Sequence, residues 1–180
     1  MTDRGRDPAI GHDPAPLPIL PDMAAAILAL NNAHATELSW LEPERLATLL
    51  AQAFHARRIG AVDAFLLAFD EAADYDSPNY RWFRARYERF VYVDRVAVAP
   101  AARGRGYACT LYADLIERAT AAGHTVLVCE VNSDPPNPAS DAFHAALGFA
   151  LVGHAAIHGG SKSVRYLLRP LAPAQPRGPG

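Results

Sequence analysis

Residues 96–108, VAVAPAARGRGYA, constrain this chain more than any other stretch. A β-branched run ends at Pro100, two glycines and two arginines follow, and an apolar helical pattern begins at Tyr107. Glycine permits a tight strand-to-helix turn, and the first N–H groups of a helix have no partner inside the helix. A turn of this kind is a ready site for an anion such as a phosphate group. The segment therefore predicts an α/β fold with an anion-binding loop.

Composition limits the classes of protein to which the chain can belong. It has 180 residues, 51% of them hydrophobic, and a formal net charge of −2. This length suffices for one α/β domain with a core and hardly for two. Without an excess of positive charge, nucleic acid is not expected as the main partner. No apolar run approaches ~20 residues and the N-terminus lacks a signal-peptide core, so we expect no membrane association and a cytoplasmic location.

The two ends of the chain differ in composition from its middle. Residues 1–21 and 172–180 are rich in proline and glycine, which predicts a flexible or extended arm and tail around one domain at 22–171. Cys109 and Cys129 lie in apolar stretches without the spacing of a disulfide framework or metal site. Both are predicted to be reduced core residues, and no metal is expected. A nucleophilic cysteine stays an alternative, because sequence does not place an activating base.

Hydrophobic periodicity predicts the order of helices and strands. Residues 24–30 are predicted as a strand, with a helix as a close rival because of their alanines. Helical spacing extends over 42–58, with Pro43 in the first turn and Gly60 just past the end. The other predictions are strands at 61–69, 89–98 and 124–131, a loop with a short helix at 70–88, helices at 107–122 and 138–147, and a terminal hairpin that turns at Gly159 and Gly160. This order predicts an α/β fold with a mixed sheet.

Two familiar phosphate-binding motifs do not match the loop at 103–108. A P-loop ends in Gly-Lys-Ser/Thr, and this loop contains no lysine. A dinucleotide-binding fingerprint, Gly-x-Gly-x-x-Gly, opens the first βαβ unit of its domain. Here Cys109 occupies the third glycine position, and the loop lies past the middle of the chain.

The loop RGRGYA at 103–108, preceded by VAVAP, resembles the coenzyme A loop of the GNAT superfamily of acyl-CoA-dependent N-acetyltransferases. A second segment, NPASDAFHAALGF at 137–149, is similar to the family's N-x-x-A-x-x-x-Y-x-x-x-G-F segment, with His144 in place of the tyrosine. The resemblance covers about 92–169. It implies a mixed sheet splayed at its central strands, flanking helices and a C-terminal β-hairpin. It also implies that acetyl-CoA or coenzyme A (CoA) is the co-substrate and binds between the separated central strands.

The resemblance assigns the cofactor contacts to the loop, the strand before it and the second segment. Gly104 and Gly106 let the backbone approach a pyrophosphate, while Arg103 and Arg105 add charge-assisted hydrogen bonds. The start of the following helix adds the positive end of its dipole. The residues predicted to bind the cofactor are Val96, Ala97, Val98, Arg103, Gly104, Arg105, Gly106, Tyr107, Ala108, Asn132, Asn137, Ser140, Phe143 and His144.

The helix at 138–147 is predicted to turn a polar stripe toward the thioester end of the cofactor. Asn137, Ser140 and His144 recur at helical spacing, whereas Phe143 and Leu147 are expected to point into the core. Asn137 also fits a purely structural role as the residue that caps the helix.

Attack of an amine on a thioester requires a base, a contact for the oxyanion and, in some enzymes, an acid for the thiolate. The first choice for the base is Asp94, which lies two residues before Val96 and is expected on the same face of the strand. Glu130 is the second choice, and both also fit solvated or ion-paired carboxylates. Through its match to the family's tyrosine, His144 is the predicted acid. Imidazole with an ordinary pKa near ~6.5 is mostly neutral at pH 8, so departure of the thiolate without a protein acid stays open.

Two polar segments predict where the acceptor binds. Residues 30–41 and 75–87 hold more polar and aromatic groups than a core needs, and such groups suit a cationic amine. The predicted acceptor contacts are Asn31, Asn32, Glu37, Tyr80 and Trp82, with His34, Trp40 and Arg84 near them. An ordinary surface helix and loop fit the same residues. The third strand that many family members have here is not evident in 70–88.

These patterns and the resemblance together predict an acetyl-CoA-dependent N-acetyltransferase that acts by direct attack on a primary amine of a small molecule. Protein or peptide N-termini are the second acceptor class. A silent acyl-CoA-binding module and, more distantly, a nucleotide-binding protein stay open, as does a homodimer. A pH–rate profile separates the enzyme from the module, because a module has no turnover to titrate.

Overall fold

A computed structural model describes residues 14–172 of the chain, so the predictions for 1–13 and 173–180 lie outside the described residues. In the described range one mixed sheet has the strand order β1-β2-β3-β4-β5-β7-β6. Its strands are β1 Leu17–Pro18, β2 His55–Ile59, β3 Ala64–Asp70, β4 Phe90–Val98, β5 Val126–Asp134, β6 Ala150–Ile157 and β7 Lys162–Pro170. The helices are α1 Ala24–Asn32, α2 Ala35–Leu38, α3 Pro43–Gln52, α4 Pro78–Arg84, α5 Tyr107–Ala121 and α6 Pro138–Ala146.

The sheet has apolar side chains packed on both of its faces, as β3 shows. Phe65, Leu67 and Phe69 pack on the face covered by α1, α3 and α4, in a cluster with Ile27 and Leu46. The alternate residues of β3 pack on the other face with α5, whose Leu111 and Leu115 recur at helical spacing. Because both faces are covered, β3 reads in sequence as an unbroken apolar run rather than an alternation. The predicted α/β fold with a mixed, splayed sheet is confirmed.

The largest departure from the predicted elements lies before β3. Residues 24–30 form the helix α1, not a strand, because alanine favours helix and the spacing of Ile27 and Leu30 buries one face. The predicted helix over 42–58 ends at Gln52, and His55–Ile59 is a strand paired antiparallel with β3. Pairing with β3 makes residues 55–59 a strand although their apolar residues continue the helical spacing.

Two smaller differences concern the predicted arm and one cysteine. Within the arm, Leu17–Pro18 is a short extended strand on the edge of β2. Cys129 is buried in β5 as predicted, but Cys109 is exposed in the first turn of α5, so its prediction as a core residue is wrong. Within 14–172 no helix is both long enough and apolar enough to cross a membrane.

The central strands β4 and β5 separate after a short parallel contact. They pair only from Phe90 to Tyr92 on β4, against Val126 to Val128 on β5. On its other edge β4 pairs with β3, and the register shifts so that Asp94 is the extra, bulged residue. A bulge bends its strand and increases the local twist, which directs the end of β4 away from β5. The resulting cleft is the position around which the functional groups lie.

Candidate active site

Three adjoining cavities follow the cleft between β4 and α6. The first, here the loop cavity, has a volume of about 210 Å³ and lies against the turn before α5. The second, the central cleft, has about 430 Å³ and shares Val98, Arg103, Ala108 and Phe143 with the loop cavity. The third, the acidic pocket, has about 200 Å³ and shares Glu37 and Leu38 with the central cleft. The three cavities therefore lie in a row, each sharing a wall with the next.

The loop cavity is open next to two glycines in left-handed conformation. Gly104 has φ 75° and Gly106 has φ 77°, values that strongly favour glycine. A Cβ placed on either residue would meet nothing within 4 Å, so the space beside the loop is free for a ligand. Gly106 is the N-cap of α5, and no side chain caps that helix. Its first N–H groups are thus available to an anion.

Arg103 connects the loop to the helical segment on the other side of the cleft. Its Nη2 lies 3.1 Å from His34 Nε2, and His34 Nδ1 lies 2.9 Å from the carbonyl oxygen of Leu30. A neutral imidazole with its hydrogen on Nδ1 satisfies both contacts, since Arg103 only donates. Arg105 is exposed and lines none of the three cavities.

The central cleft has a strand edge on one side and a helix on the other. Val96, Ala97 and Val98 line it from β4, and this edge has no partner strand in the described sheet because β5 pairs with β4 only as far as Tyr92. Backbone N–H and C=O groups along such an edge are free to bind a ligand. From α6 and its cap the lining residues are Asn137, Ala139, Ser140 and Phe143.

Asp94 lies in the acidic pocket with its charge already paired. Its carboxylate accepts hydrogen bonds from the Tyr75 hydroxyl and from Arg95 Nε, each at 2.6 Å. Arg95 Nη1 in turn donates to Asn31 Oδ1 at 2.8 Å. Burial, with the adjacent Asp94 charge, raises the pKa of the Tyr75 hydroxyl well above its ordinary range, which keeps it a donor.

The bulge also changes which face of β4 each side chain occupies. Asp94 and Arg95 both contact residues on the α1 and α4 side of the sheet, whereas Val96 packs against the cluster on the α5 side. The expectation that Asp94 and Val96 share a face is therefore wrong. Counting by twos along a strand fails wherever one extra residue enters the ladder.

Glu130 differs from Asp94 because one of its oxygens is unpaired. Asn79 Nδ2 donates to Oε1 at 2.9 Å, while Oε2 is buried without a hydrogen-bond partner in the described part of the chain. The Tyr92 hydroxyl lines the same pocket and is also buried without a close hydrogen bond there, yet it lies near enough to the Glu130 carboxylate to favour its charged form. Burial, reinforced by the charge of Asp94, raises the pKa of Glu130 to about 7. A carboxylate with such a pKa exchanges protons readily near neutral pH.

The family comparison matches the region that contains these features. A model of the acetyltransferase (GNAT) family matches residues 75–149, which include the acidic pocket's Asp94 and Glu130, the loop and the helix α6. The segment 75–149 belongs to the GNAT superfamily. None of the curated proteins matches it in sequence.

Solved structures of several proteins share the fold, and one of them is described as a GNAT enzyme. The ribosomal-protein-S18-alanine N-acetyltransferase from Escherichia coli has a TM-score of 0.65 at 14% identity, over 92% of this chain and 99% of that one. Ard1 from Thermoplasma volcanium has a TM-score of 0.71 at 13% identity, over 89% and 99%. A phosphinothricin acetyltransferase from Sinorhizobium meliloti, solved with acetyl-CoA, has a TM-score of 0.63 at 21% identity, over 89% of each chain. At these identities the likeness is one of fold.

Within this GNAT segment the helix α6 turns a different face to the cleft than the spacing predicted. Phe143 lines the loop cavity and the central cleft, whereas His144 is buried, with 4% of its surface exposed. Asn137 Oδ1 accepts from the N–H of Ser140 at 3.1 Å and so caps the helix. The prediction that Phe143 points into the core and His144 into the cleft is wrong.

Both nitrogens of His144 have partners inside the protein. Nδ1 lies 2.8 Å from the carbonyl oxygen of Ser140, and Nε2 lies 2.8 Å from the Tyr112 hydroxyl. The rings of Phe143 and Phe149 pack edge-on against the imidazole. Burial lowers the pKa of His144, so the neutral ring is favoured. This geometry does not support the predicted role of His144 as an acid or a cofactor contact.

Most of the predicted acceptor residues hold the structure together instead of lining the pocket. Asn32 binds both the N–H and the carbonyl of Leu41, and the Tyr80 hydroxyl donates to the carbonyls of Asp70 and Ala73. Trp82 stacks on Tyr166 with ring centroids 4.2 Å apart. Of the predicted set, Glu37 alone lines the acidic pocket, and His34 lines the central cleft. Asn31, buried with Asn32 beside it, and Asn132, buried on β5, line none of the three cavities.

Several lining residues of the acidic pocket were not predicted. They are Ser39, Tyr75, Asn79, Tyr92, Arg95 and Lys162. Tyr75 and Asn79 lie in the polar aromatic segment that was recognised as a whole, but nothing in that segment distinguishes them from the buried Tyr80. Among residues 14–172, no three His, Cys, Asp or Glu side chains are grouped as a metal site.

Proposed function

We propose that this GNAT protein transfers an acetyl group from acetyl-CoA to the primary amine of a small molecule by direct attack. The observation that carries the proposal is the row of three adjoining cavities, with the glycine loop at one end and Glu130 at the other. A volume of about 200 Å³ for the acidic pocket favours a small acceptor, since pockets for drug-sized ligands are ~300–1,000 Å³. Protein or peptide N-termini are the second acceptor class.

The loop and the central cleft fit CoA in charge and in shape. The N–H groups at the start of α5, with Arg103 beside them, would hold the pyrophosphate. The free edge of β4 at Val96, Ala97 and Val98 would pair with the amide groups of pantetheine. Acetyl-CoA supplies the thioester that reacts. A backbone N–H of the same edge would stabilise the oxyanion that forms on the thioester carbonyl.

Glu130 is the better choice for the base. Its Oε2 is free, and its pKa of about 7 lets it accept a proton from an ammonium group at neutral pH. Asp94 is occupied by Arg95 and Tyr75 and contributes negative charge to the pocket. Glu130 first takes one proton from the ammonium group. The neutral amine nitrogen then forms its bond to the thioester carbon, the carbon–sulfur bond breaks, and the second nitrogen proton passes to the departing thiolate. The thiolate leaves without help from His144, which lies outside the cleft.

A silent CoA-binding module is the second candidate, favoured by the burial of the predicted acid, His144, outside the lining of the central cleft. Two measurements separate it from the enzyme. The first is thermal denaturation with acetyl-CoA, CoA, NAD and ATP. Ligand at 100 times its dissociation constant stabilises the protein by about 2.7 kcal/mol, so the two CoA ligands alone should raise the melting temperature. Stabilisation by none of the four, or equally by NAD and ATP, contradicts CoA binding.

The second measurement is acetyl transfer to a panel of primary amines by the wild type and Glu130→Gln. We expect Glu130→Gln to retain its stabilisation by CoA and to lose about 10²-fold or more in kcat. Glu117→Gln, which changes an exposed carboxylate of α5, is the matched control and should retain full activity. Stabilisation by CoA with no transfer to any amine identifies the silent module. A cytoplasmic location and a homodimer remain predictions.

A further inference from the structure

We propose that the acceptor carries a carboxylate in addition to its amine, and that Lys162 and Ser39 bind this carboxylate at the rim of the acidic pocket. The proposal deepens the proposed function and rests on it. It concerns two polar residues of the pocket to which the proposed function assigns no role.

Lys162 is the only lysine of the chain, and it lines the acidic pocket from the first position of β7. It is half-buried opposite Ile157, another lining residue, yet it forms no ion pair with any residue in 14–172. Because no carboxylate in that range pairs with it, its ammonium group is available to an anionic ligand. The other cation of the pocket, Arg95, is already neutralised by Asp94.

Lys162 and the reacting end of the pocket lie at different positions along β7. Glu130 lies opposite Tyr166 in the pairing of β5 with β7, four residues beyond Lys162. Both positions lie on the same face of the strand, and four residues of strand span about 13 Å. The long lysine side chain shortens this separation. The two groups therefore suit the two charged ends of one small molecule, with the amine at Glu130 and the carboxylate at Lys162.

Ser39 is held in a backbone conformation that non-glycine residues rarely adopt. It has φ 67° and ψ 148°, and it lines the acidic pocket from the segment after α2. Its N–H donates to Ala35 and its carbonyl accepts from the buried Asn31 at 3.0 Å, so the backbone is fixed on both sides. Strain of this kind costs on the order of 1–3 kcal/mol and often marks a functional position. The serine at this position places a hydroxyl at the rim, and this hydroxyl can donate a hydrogen bond to a carboxylate.

The remaining charges of the pocket agree with this assignment. Glu37 is exposed at the boundary with the central cleft, and Glu130 lies at the buried end. Among the lining residues, Lys162 is the cation that remains available to an incoming anion. It offers one ammonium group and not the paired N–H donors of a guanidinium group. One ammonium group with one hydroxyl matches a carboxylate, which carries one charge and two acceptor oxygens.

The test compares acetylation of amino acids with that of their amides and decarboxylated amines. The variants are Lys162→Met, Lys162→Arg, Ser39→Gly and Arg169→Met, the last a matched removal of a cation from the other end of β7. The wild type should favour the carboxylated member of a pair by about tenfold or more in kcat/KM. Lys162→Met should remove this preference, Lys162→Arg should keep most of it, and Arg169→Met should leave it unchanged. Ser39→Gly should raise the melting temperature and still reduce the preference, because it relieves the strain and deletes the hydroxyl.

A wild type without preference, or a Lys162→Met variant that keeps it, overturns the proposal. Failure of the proposed function gives a different result, namely no transfer to any amine. In that case calorimetric titration of the CoA-bound protein with an amino acid and its amide still decides the question. Tighter binding of the amino acid that disappears in Lys162→Met supports the carboxylate site, and equal binding refutes it.

Discussion

Asn79 Nδ2 lies 2.9 Å from Glu130 Oε1, although the two residues are 51 positions apart in the sequence. Asn79 Oδ1 accepts from the Tyr166 hydroxyl at 3.0 Å, and the Tyr166 ring stacks on Trp82. The orientation of the Glu130 carboxylate is thus set by a chain of contacts that begins outside the pocket. The same chain leaves Oε2 as the free oxygen.

Replacing Asn79 by leucine should move the activity profile to higher pH. The hydrogen bond from Asn79 favours the charged form of Glu130, so its loss raises the pKa of the carboxylate further. At pH 6.5 we expect kcat/KM to fall about three- to tenfold, with recovery as the pH rises. Rates measured from pH 5.5 to 9 check this. The control is Gln52→Leu, which removes an amide at the end of α3 and should leave the profile unchanged. If Asn79→Leu lowers the melting temperature without moving the pH profile, the assignment is contradicted.

Glu130 should make the protein less stable at alkaline pH. Its folded-state pKa of about 7 exceeds its ordinary value of 4.5, so the folded state holds the proton more tightly than the unfolded state. The stabilisation is complete below pH 4.5 and is lost as the pH rises through 7. The free energy of unfolding of the wild type should therefore fall from pH 5 to pH 8 by on the order of 3 kcal/mol at most, relative to that of Glu130→Gln. Urea denaturation at both pH values measures it, and Glu117→Gln should show no such change.

His144 should prove structural. His144→Phe leaves the buried Tyr112 hydroxyl without its acceptor and should cost about 1–3 kcal/mol in the free energy of unfolding. Adding Tyr112→Phe should recover part of this loss, because the orphaned donor is removed. The kcat of either variant should stay within about threefold of wild type; a much larger fall with stability preserved would mean that His144 takes part in the reaction.

The pH dependence of stability tests the same residue independently. Burial lowers the pKa of His144 below its ordinary 6.5, so the unfolded state binds the proton more tightly. The contribution to stability is complete above pH 6.5 and is lost as the pH falls through the folded-state pKa. This decline between pH 6.5 and pH 5 should be smaller in His144→Phe than in the wild type, as measured by urea denaturation.

Gly153→Ala should be destabilising for a steric reason. A Cβ at Gly153 would lie 2.6 Å from Trp82 Cζ2, and Gly153 is not among the positive-φ glycines, so the backbone itself tolerates alanine. We expect a loss of about 1–3 kcal/mol and a disturbed stack of Trp82 on Tyr166. Combining Gly153→Ala with Trp82→Leu should cost less than the sum of the two single changes. Thermal denaturation of all three variants measures this coupling, and strict additivity would argue against the contact.

Local features were predictable where a few adjacent residues decide them. The glycines of the loop, the apolar stripe of α5 and the terminal hairpin all depend on spacing and backbone preference within a short segment. Near β2, spacing alone gave the wrong element, because pairing with β3 decides whether residues 55–59 are a strand.

Polar side chains were assigned less well, because their partners are distant in sequence. Asn31 and Tyr80 look like pocket residues in their segments, yet Asn31 binds Arg95 from 64 positions away and Tyr80 is fully buried. Asp94 was assigned by alternation along β4, and a bulge fixed by the register with β3 changed its face. The choice of Glu130 over Asp94 as the proposed base depends on its Oε2, which has no hydrogen bond in the described part of the chain.

The sequence by itself determined the order of most helices and strands and the loop that can hold a pyrophosphate, since these follow from periodicity, glycine positions and helix starts. Only the tertiary structure decided which carboxylate is free, that His144 points away from the cleft and that Lys162 reaches the acidic pocket. The physical reason is that the cleft exists only where β4 and β5 separate. Its lining comes from segments far apart in the chain, and their packing determines which polar atoms stay without a partner.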